Sequence, residues 1–129
     1  EGESIRRKDI LAFSGSELGM RMQRAALDKK LHREQPFVMK VDMKNLDASW
    51  NGDETVLVQG IIDAYFIEGE EIVLVDYTTD RIGQGEESKL IERYRTQLED
   101  YALALERMLH KKVKQKYIYS FALQKAIEI

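Results

Sequence analysis

Residues Val56 to Asp80 read VLVQGIIDAYFIEGEEIVLVDYTTD, two apolar runs parted by Glu68-Gly69-Glu70. β-Branched and aromatic residues fill both runs, so strands are expected over Thr55 to Ile67 and Glu71 to Thr79. Glycine suits the first position of a type II′ turn, so Gly69-Glu70 is expected to close a two-residue hairpin. That register sets Asp63 directly across from Asp76. Period-two alternation then places Ile61, Asp63, Tyr65 and Ile67 on one face with Ile72, Leu74, Asp76 and Thr78. Ile62, Ala64, Phe66, Val73, Val75 and Tyr77 take the other face, and two apolar faces indicate strands covered on both sides.

Carboxylates directly opposite each other have β-carbons roughly 5 Å apart and repel. A shared divalent cation would relieve that repulsion, because Mg²⁺ or Mn²⁺ takes hard oxygen ligands, often one or two carboxylates with a substrate phosphate. The plainer alternatives are a register slipped by one residue, or an aspartate that ends its strand at the surface.

Outward from the hairpin the chain is mixed. Residues 4 to 30 carry helical spacing interrupted by Ser14-Gly15-Ser16, which favours two short helices over one. From Glu34, Phe37, Met39, Val41 and Met43 alternate with polar residues as in a strand, and Asn45 to Glu54 reads as a loop. After a second loop, Arg81 to Glu87, the segment Glu86 to Leu109 repeats apolar residues at three-to-four spacing, an amphipathic helix. Val113 to Ala122 returns to strand character, and Ile127 to Ile129 forms a last short piece. One α/β domain over residues 1–129 is expected.

Composition narrows the function. The 129 residues include 43% hydrophobic and 33% charged side chains with a formal charge of −3, which suits a soluble domain and excludes a strongly basic nucleic-acid coat. Zero cysteines exclude a disulfide framework, a thiolate zinc site, an iron-sulfur cluster and a cysteine nucleophile within this chain. No apolar run approaches the ~20 residues of a spanning helix, so no membrane partner is expected. The chain begins at Glu1 without a leader pattern and is expected to be a piece of a longer intracellular protein.

These residues resemble the PD-(D/E)XK nucleases of RecB type, and most closely the C-terminal nuclease domain of AddA-type helicase-nuclease subunits. The resemblance runs from about Leu11 to Leu123, through LAFSGSELGMRM, HREQPFVM, VQGIID, VLVDYTTD, RYRTQLEDYALAL and YIYSFAL. It implies a restriction-endonuclease-like fold, a central mixed sheet flanked by helices, and Mg²⁺-dependent exonucleolytic hydrolysis of DNA during double-strand break repair and recombination. It also implies a helicase portion on the same polypeptide, a second subunit of AddB type, and a bacterial cytoplasmic setting. No GxxxxGK[ST] occurs here, so the motor lies elsewhere. Carried over by residue, Asp63 and Asp76 are the metal-binding acids, and Glu34 is the acidic residue opening the first core strand. Gln97 and Tyr101, four apart on one helical face, would touch the scissile phosphate or its neighbours. A solvated carboxylate at Glu34 and a packing role for Tyr101 are the plainer readings.

The motif wants a lysine where this chain has Thr78. Period two sets position 78 beside Asp76, where a cation would orient the attacking water and offset charge on the phosphate. A threonine hydroxyl supplies no charge. Three explanations stand: an inactivating substitution, natural or engineered; a cation relocated to Lys40, Lys89 or Arg93; or metal ions carrying the reaction without the lysine. The family's metal-ligating histidine lies on an upstream helix, and neither His32 nor His110 matches it, so surface or capping roles are expected for both.

Arg107, Lys111, Lys112, Lys114 and Lys116 form a basic run, and Arg6, Arg7 and Lys8 a smaller one. Such runs are solvated faces or phosphate contacts. Trp50 would anchor its loop or stack on a base. Two rivals to the helicase-nuclease reading remain: a DNA-binding or docking domain that keeps the fold without chemistry, favoured by Thr78, and a stand-alone nuclease.

Overall fold

The computed structural model describes residues 7–129; residues 4–6 of the expected first helix, Arg6 among them, lie outside the described residues. Two short helices open the chain, α1 (Arg7–Gly15) and α2 (Glu17–Leu27). Ser16 makes the break by capping α2, its side chain accepting the Gly19 N–H at 3.0 Å. There follow β1 (Leu31–Asp42), α3 (Met43–Leu46), β2 (Thr55–Glu68), β3 (Glu71–Thr78), α4 (Glu87–Leu109), β4 (Val113–Ser120) and β5 (Lys125–Glu128).

The five strands make one sheet in sequence order, antiparallel except where β3 and β4 run parallel. The parallel pair needs a crossover, and α4 supplies it. On the α4 side, Leu98, Ala104 and Leu105 bury Phe37, Met39, Val41, Ile72, Leu74 and Ile118. On the other side, Leu18, Met22 and Ala25 of α2 cover Ala64, Phe66, Val73, Val75 and Tyr119. This three-layer α/β arrangement is the restriction-endonuclease-like architecture expected.

The hairpin register is the expected one. Glu68 pairs with Glu71 across Gly69, whose φ is 63°, and the ladder runs on to Ala64 opposite Val75. Several boundaries differ. β1 starts at Leu31 rather than near Glu34, so Glu34 lies inside the strand instead of opening it. α3 occupies the start of the expected loop, β4 stops at Ser120, and β5 begins earlier and ends at Glu128.

The face assignment along β2 requires a correction. β1 and β2 pair from Leu31 opposite Phe66 to Asp42 opposite Thr55 with one gap, where Glu34 meets Asp63. Glu34 there adopts φ 51°, which turns the following side chains over. Tyr65 and Ile67 face α4, but beyond the gap so do Ile62, Val58 and Val56. Ile62 is therefore buried under α4 rather than on the opposite face, and Ile61 is 60% exposed.

A polar clasp ties α2 to the hairpin. Arg21 grips Glu68 with two hydrogen bonds of 2.8 and 2.9 Å and also reaches Gln115 and Tyr117, while Lys114 pairs with Glu68 from β4. The hydrogen bond from Arg21, with Lys114 adding to it, pulls the Glu68 carboxyl down to about 2. A depressed carboxyl stabilises the fold above its unfolded pKa and loses that contribution as pH falls. Arg21→Met is expected to lower stability by ~1–2 kcal/mol at neutral pH. In denaturant titrations that deficit should shrink as pH falls from about 4.5 toward 2.

Candidate active site

The β2–β3 ladder stops one pair short of Asp63 and Asp76, although both strands continue. In place of the next ladder bond, the Asp63 carboxylate accepts the Tyr77 backbone N–H at 2.9 Å. A side chain thus satisfies a donor that the diverging strands leave behind. The strands splay apart from this point, and the two aspartates sit at the vertex.

Asp76 is 4% exposed. Burial, then the hydrogen bond and charge of Asp63, push its carboxyl far up, to about 8, against the opposing hydrogen bond from Gln97. Gln97 Nε2 donates to Asp76 Oδ2 at 2.7 Å. Tyr101, one helical turn on, stands edge-on to Phe37 at 5.4 Å, and its hydroxyl is pushed up by burial and by the charges of Asp76 and Asp63. Gly60 gives these rings room: a Cβ there would lie 3.1 Å from Phe37 and 3.2 Å from Tyr101.

Thr78 is buried, and its hydroxyl is fully engaged. Oγ1 lies 3.2 Å from the Tyr94 hydroxyl and accepts the Asp80 N–H at 3.0 Å. Tyr94 donates to Asp80 Oδ2 at 2.9 Å, and Arg93 meets the same oxygen at 2.6 Å. The arginine holds the Asp80 carboxyl below its ordinary range. Of the candidate replacement cations, Arg93 is the one linked to Thr78. Lys89 is paired with Glu86 at 2.7 Å, and Lys40 lies opposite Leu57, far along β1 from the aspartates.

The structure therefore brings together Asp63, Asp76, Gln97, Tyr101 and Thr78. Glu34 is exposed at the register gap opposite Asp63, and among the described residues no third His, Asp or Glu completes a metal-holding cluster with the pair. His32 is exposed and stacks on Tyr65 at 4.8 Å, and His110 caps α4 in a left-handed conformation. Trp50 donates to Glu54 at 2.8 Å within its loop. The basic run is largely paired: Lys111 with Glu70, Lys114 with Glu68, and Arg107 with the Lys40 carbonyl.

No family model matches the chain. Over its whole length it is 41% identical to the AddA polypeptide of the ATP-dependent helicase/nuclease from Clostridium perfringens. The corresponding polypeptide from Clostridium kluyveri is 42% identical over 95% of the chain, and that of Lachnoclostridium phytofermentans 39% identical over 98%. The chain belongs to the AddA helicase/nuclease family. It matches the C-terminal region of these relatives and spans about a tenth of their length, covering 10–12% of each. A solved structure, the crystal structure of SSO0001, shares the fold with a TM-score of 0.52 and 16% identity over 94% of this chain and 48% of that one.

For this AddA family member, sequence reasoning missed Asp80 and Tyr94 as site residues. Their signal was present: Tyr94, Gln97 and Tyr101 share one face of α4, and Asp80 lies two residues beyond Thr78. The donor set of the vertex suits a hard divalent cation, because two oxygen ligands converge where only the neutral amide of Gln97 now offsets them. Without a cation, a raised carboxyl pKa makes the fold lose stability as pH climbs from the unfolded value toward the folded one. Asp76→Asn keeps the shape and removes that loss. Thermal melts in chelator are expected to show the variant gaining on the wild type from about pH 4 to 8, by on the order of 2 kcal/mol at the upper end.

Proposed function

We propose that this chain is the nuclease part of an ATP-dependent helicase/nuclease, hydrolysing DNA phosphodiesters as a metal-dependent exonuclease in double-strand break repair and recombination. The observation that carries the reading is the Asp63–Asp76 vertex with Gln97 closed over it. Mg²⁺, or Mn²⁺ in its place, is the cation such a vertex suits, and the motor portion of the same polypeptide, together with an AddB-type partner, would feed the strand to it. A bacterial cytoplasmic setting accompanies that role; no described helix is long and apolar enough to cross a membrane.

Asp63 and Asp76 would hold the cation, which when bound supplies Lewis acidity and an activated water. Its arrival displaces the proton that burial keeps on the pair. Gln97, freed from Asp76, then has an amide to offer a phosphate oxygen, and Tyr101 a hydroxyl on the same helical face. Glu34, exposed beside the vertex, is placed to assist from solvent.

Position 78 limits the chemistry. Its hydroxyl is shared between Tyr94 and the Asp80 amide and carries no charge toward the vertex. Removing one electrostatic contributor of this kind costs on the order of 10²–10³ in rate. The same observation favours a second reading, a DNA-binding or docking domain that has kept the nuclease fold. Cleavage of linear DNA with Mg²⁺ or Mn²⁺ separates the two: Thr78→Lys is expected to cut at least a hundredfold faster than the wild type, and Asp63→Ala in that background to abolish cutting. Equal metal-dependent cutting by wild type and Thr78→Lys would show that position 78 does not limit the reaction. No cutting by either would leave the binding reading in its place.

A further inference from the structure

We propose that the cavity between α1 and the C-terminal end of β3 receives one base of a single-stranded stretch of DNA, with Arg33 reaching the adjoining phosphate. The proposal rests on the reading of the chain as DNA-processing. The cavity measures about 250 Å³ and is lined by Ile10, Phe13, Arg33, Tyr77 and Phe121. Pockets for drug-sized ligands run to ~300–1,000 Å³, so this one has room for a single ring system.

Its walls suit a base. The rings of Phe13, Tyr77 and Phe121 stand 5.6–6.2 Å apart in a triangle, each half-buried, so their remaining surface faces the opening. Aromatic surface of this kind stacks bases without regard to sequence. Arg33 is exposed and lies against the Tyr77 hydroxyl, the one cation on an otherwise apolar rim. An arginine above aromatic rings pairs naturally with a phosphate carried by a stacked base.

Position ties the cavity to the acidic vertex. Tyr77 belongs to both: its backbone N–H holds Asp63, while its ring walls the cavity. Phe121 is fixed by its N–H to the Thr78 carbonyl at 3.0 Å. Arg33 pairs in register with Ala64, the residue after Asp63. Both features therefore lie at the carboxyl end of the parallel pair β3–β4, the usual location of ligands in α/β sheets. A strand whose phosphate approaches the aspartates has this cavity around the end of β3 for a neighbouring base.

The test uses a short oligothymidylate carrying one 2-aminopurine, with Ca²⁺ replacing Mg²⁺ so that binding is read without cleavage. Wild type is expected to quench the 2-aminopurine as the base stacks. Phe121→Leu keeps apolar bulk without a π face and should lose the quenching with a roughly tenfold weaker affinity, within the ~1–3 kcal/mol of one stacked base. Arg33→Gln should lower the salt slope by about 1. Ile10→Trp, at a position 51% exposed, fills the mouth from the surface without disturbing the core and should abolish quenching too. Asp63→Asn should still quench, so a failure of the nuclease reading shows as lost cutting with the base still bound. Unchanged quenching in Phe121→Leu and Ile10→Trp overturns the proposal. So does a wild type that binds no oligonucleotide, or one in which a protein segment of the longer chain protects the cavity and the oligonucleotide does not.

Discussion

Two carboxylates facing each other where a β-ladder ends set the terms for everything around them. Paired strands would ordinarily place such residues in mutual repulsion, and burial of Asp76 at 4% exposure raises that cost. The chain tolerates it by giving up backbone pairing. Asp63 takes the Tyr77 N–H, β2 and β3 part company, and on the other side of β2 the ladder to β1 opens at Glu34. A strained and partly unpaired vertex in an otherwise regular sheet is a sign of work other than stability.

The helix α4 completes the arrangement. One face carries Leu90, Leu98 and Leu105 into the core, and beside that stripe Tyr94, Gln97 and Tyr101 point at the vertex. Packing and chemistry thus share one helix: the leucines fix its height above the sheet, and that height places an amide 2.7 Å from Asp76. Thr78 shows how local the departure from the lysine motif is. Its hydroxyl is absorbed into a web of Tyr94, Asp80 and Arg93, so the missing charge is not made good by an open site awaiting water. Arg93 is the nearest substitute in that web, and Asp80 neutralises it.

Much of this was legible in the amino-acid order. The Gly69 turn fixed the hairpin register, and the register alone set Asp63 against Asp76. Helical spacing located α4, and Ser14-Gly15-Ser16 located the break between α1 and α2. What escaped was whatever depends on a single non-repeating backbone angle. Glu34 at φ 51° inverts the faces of β1 and β2, and period-two counting cannot register one residue that turns over. Asp80 and Tyr94 escaped for a related reason: each was read within its own element, and only the fold brings a loop carboxylate to a helix tyrosine. The cavity by Tyr77 depends on α1, β1, β3 and the β4–β5 turn at once.

Whether the vertex exists to hold a divalent cation is addressed directly by anomalous diffraction from a crystal soaked in Mn²⁺. A cation-holding vertex predicts one manganese peak lying between the carboxylates of Asp63 and Asp76, with the Gln97 amide turned away from Asp76. Ordered carboxylates with no manganese between them, and Gln97 still closed on Asp76, would contradict it.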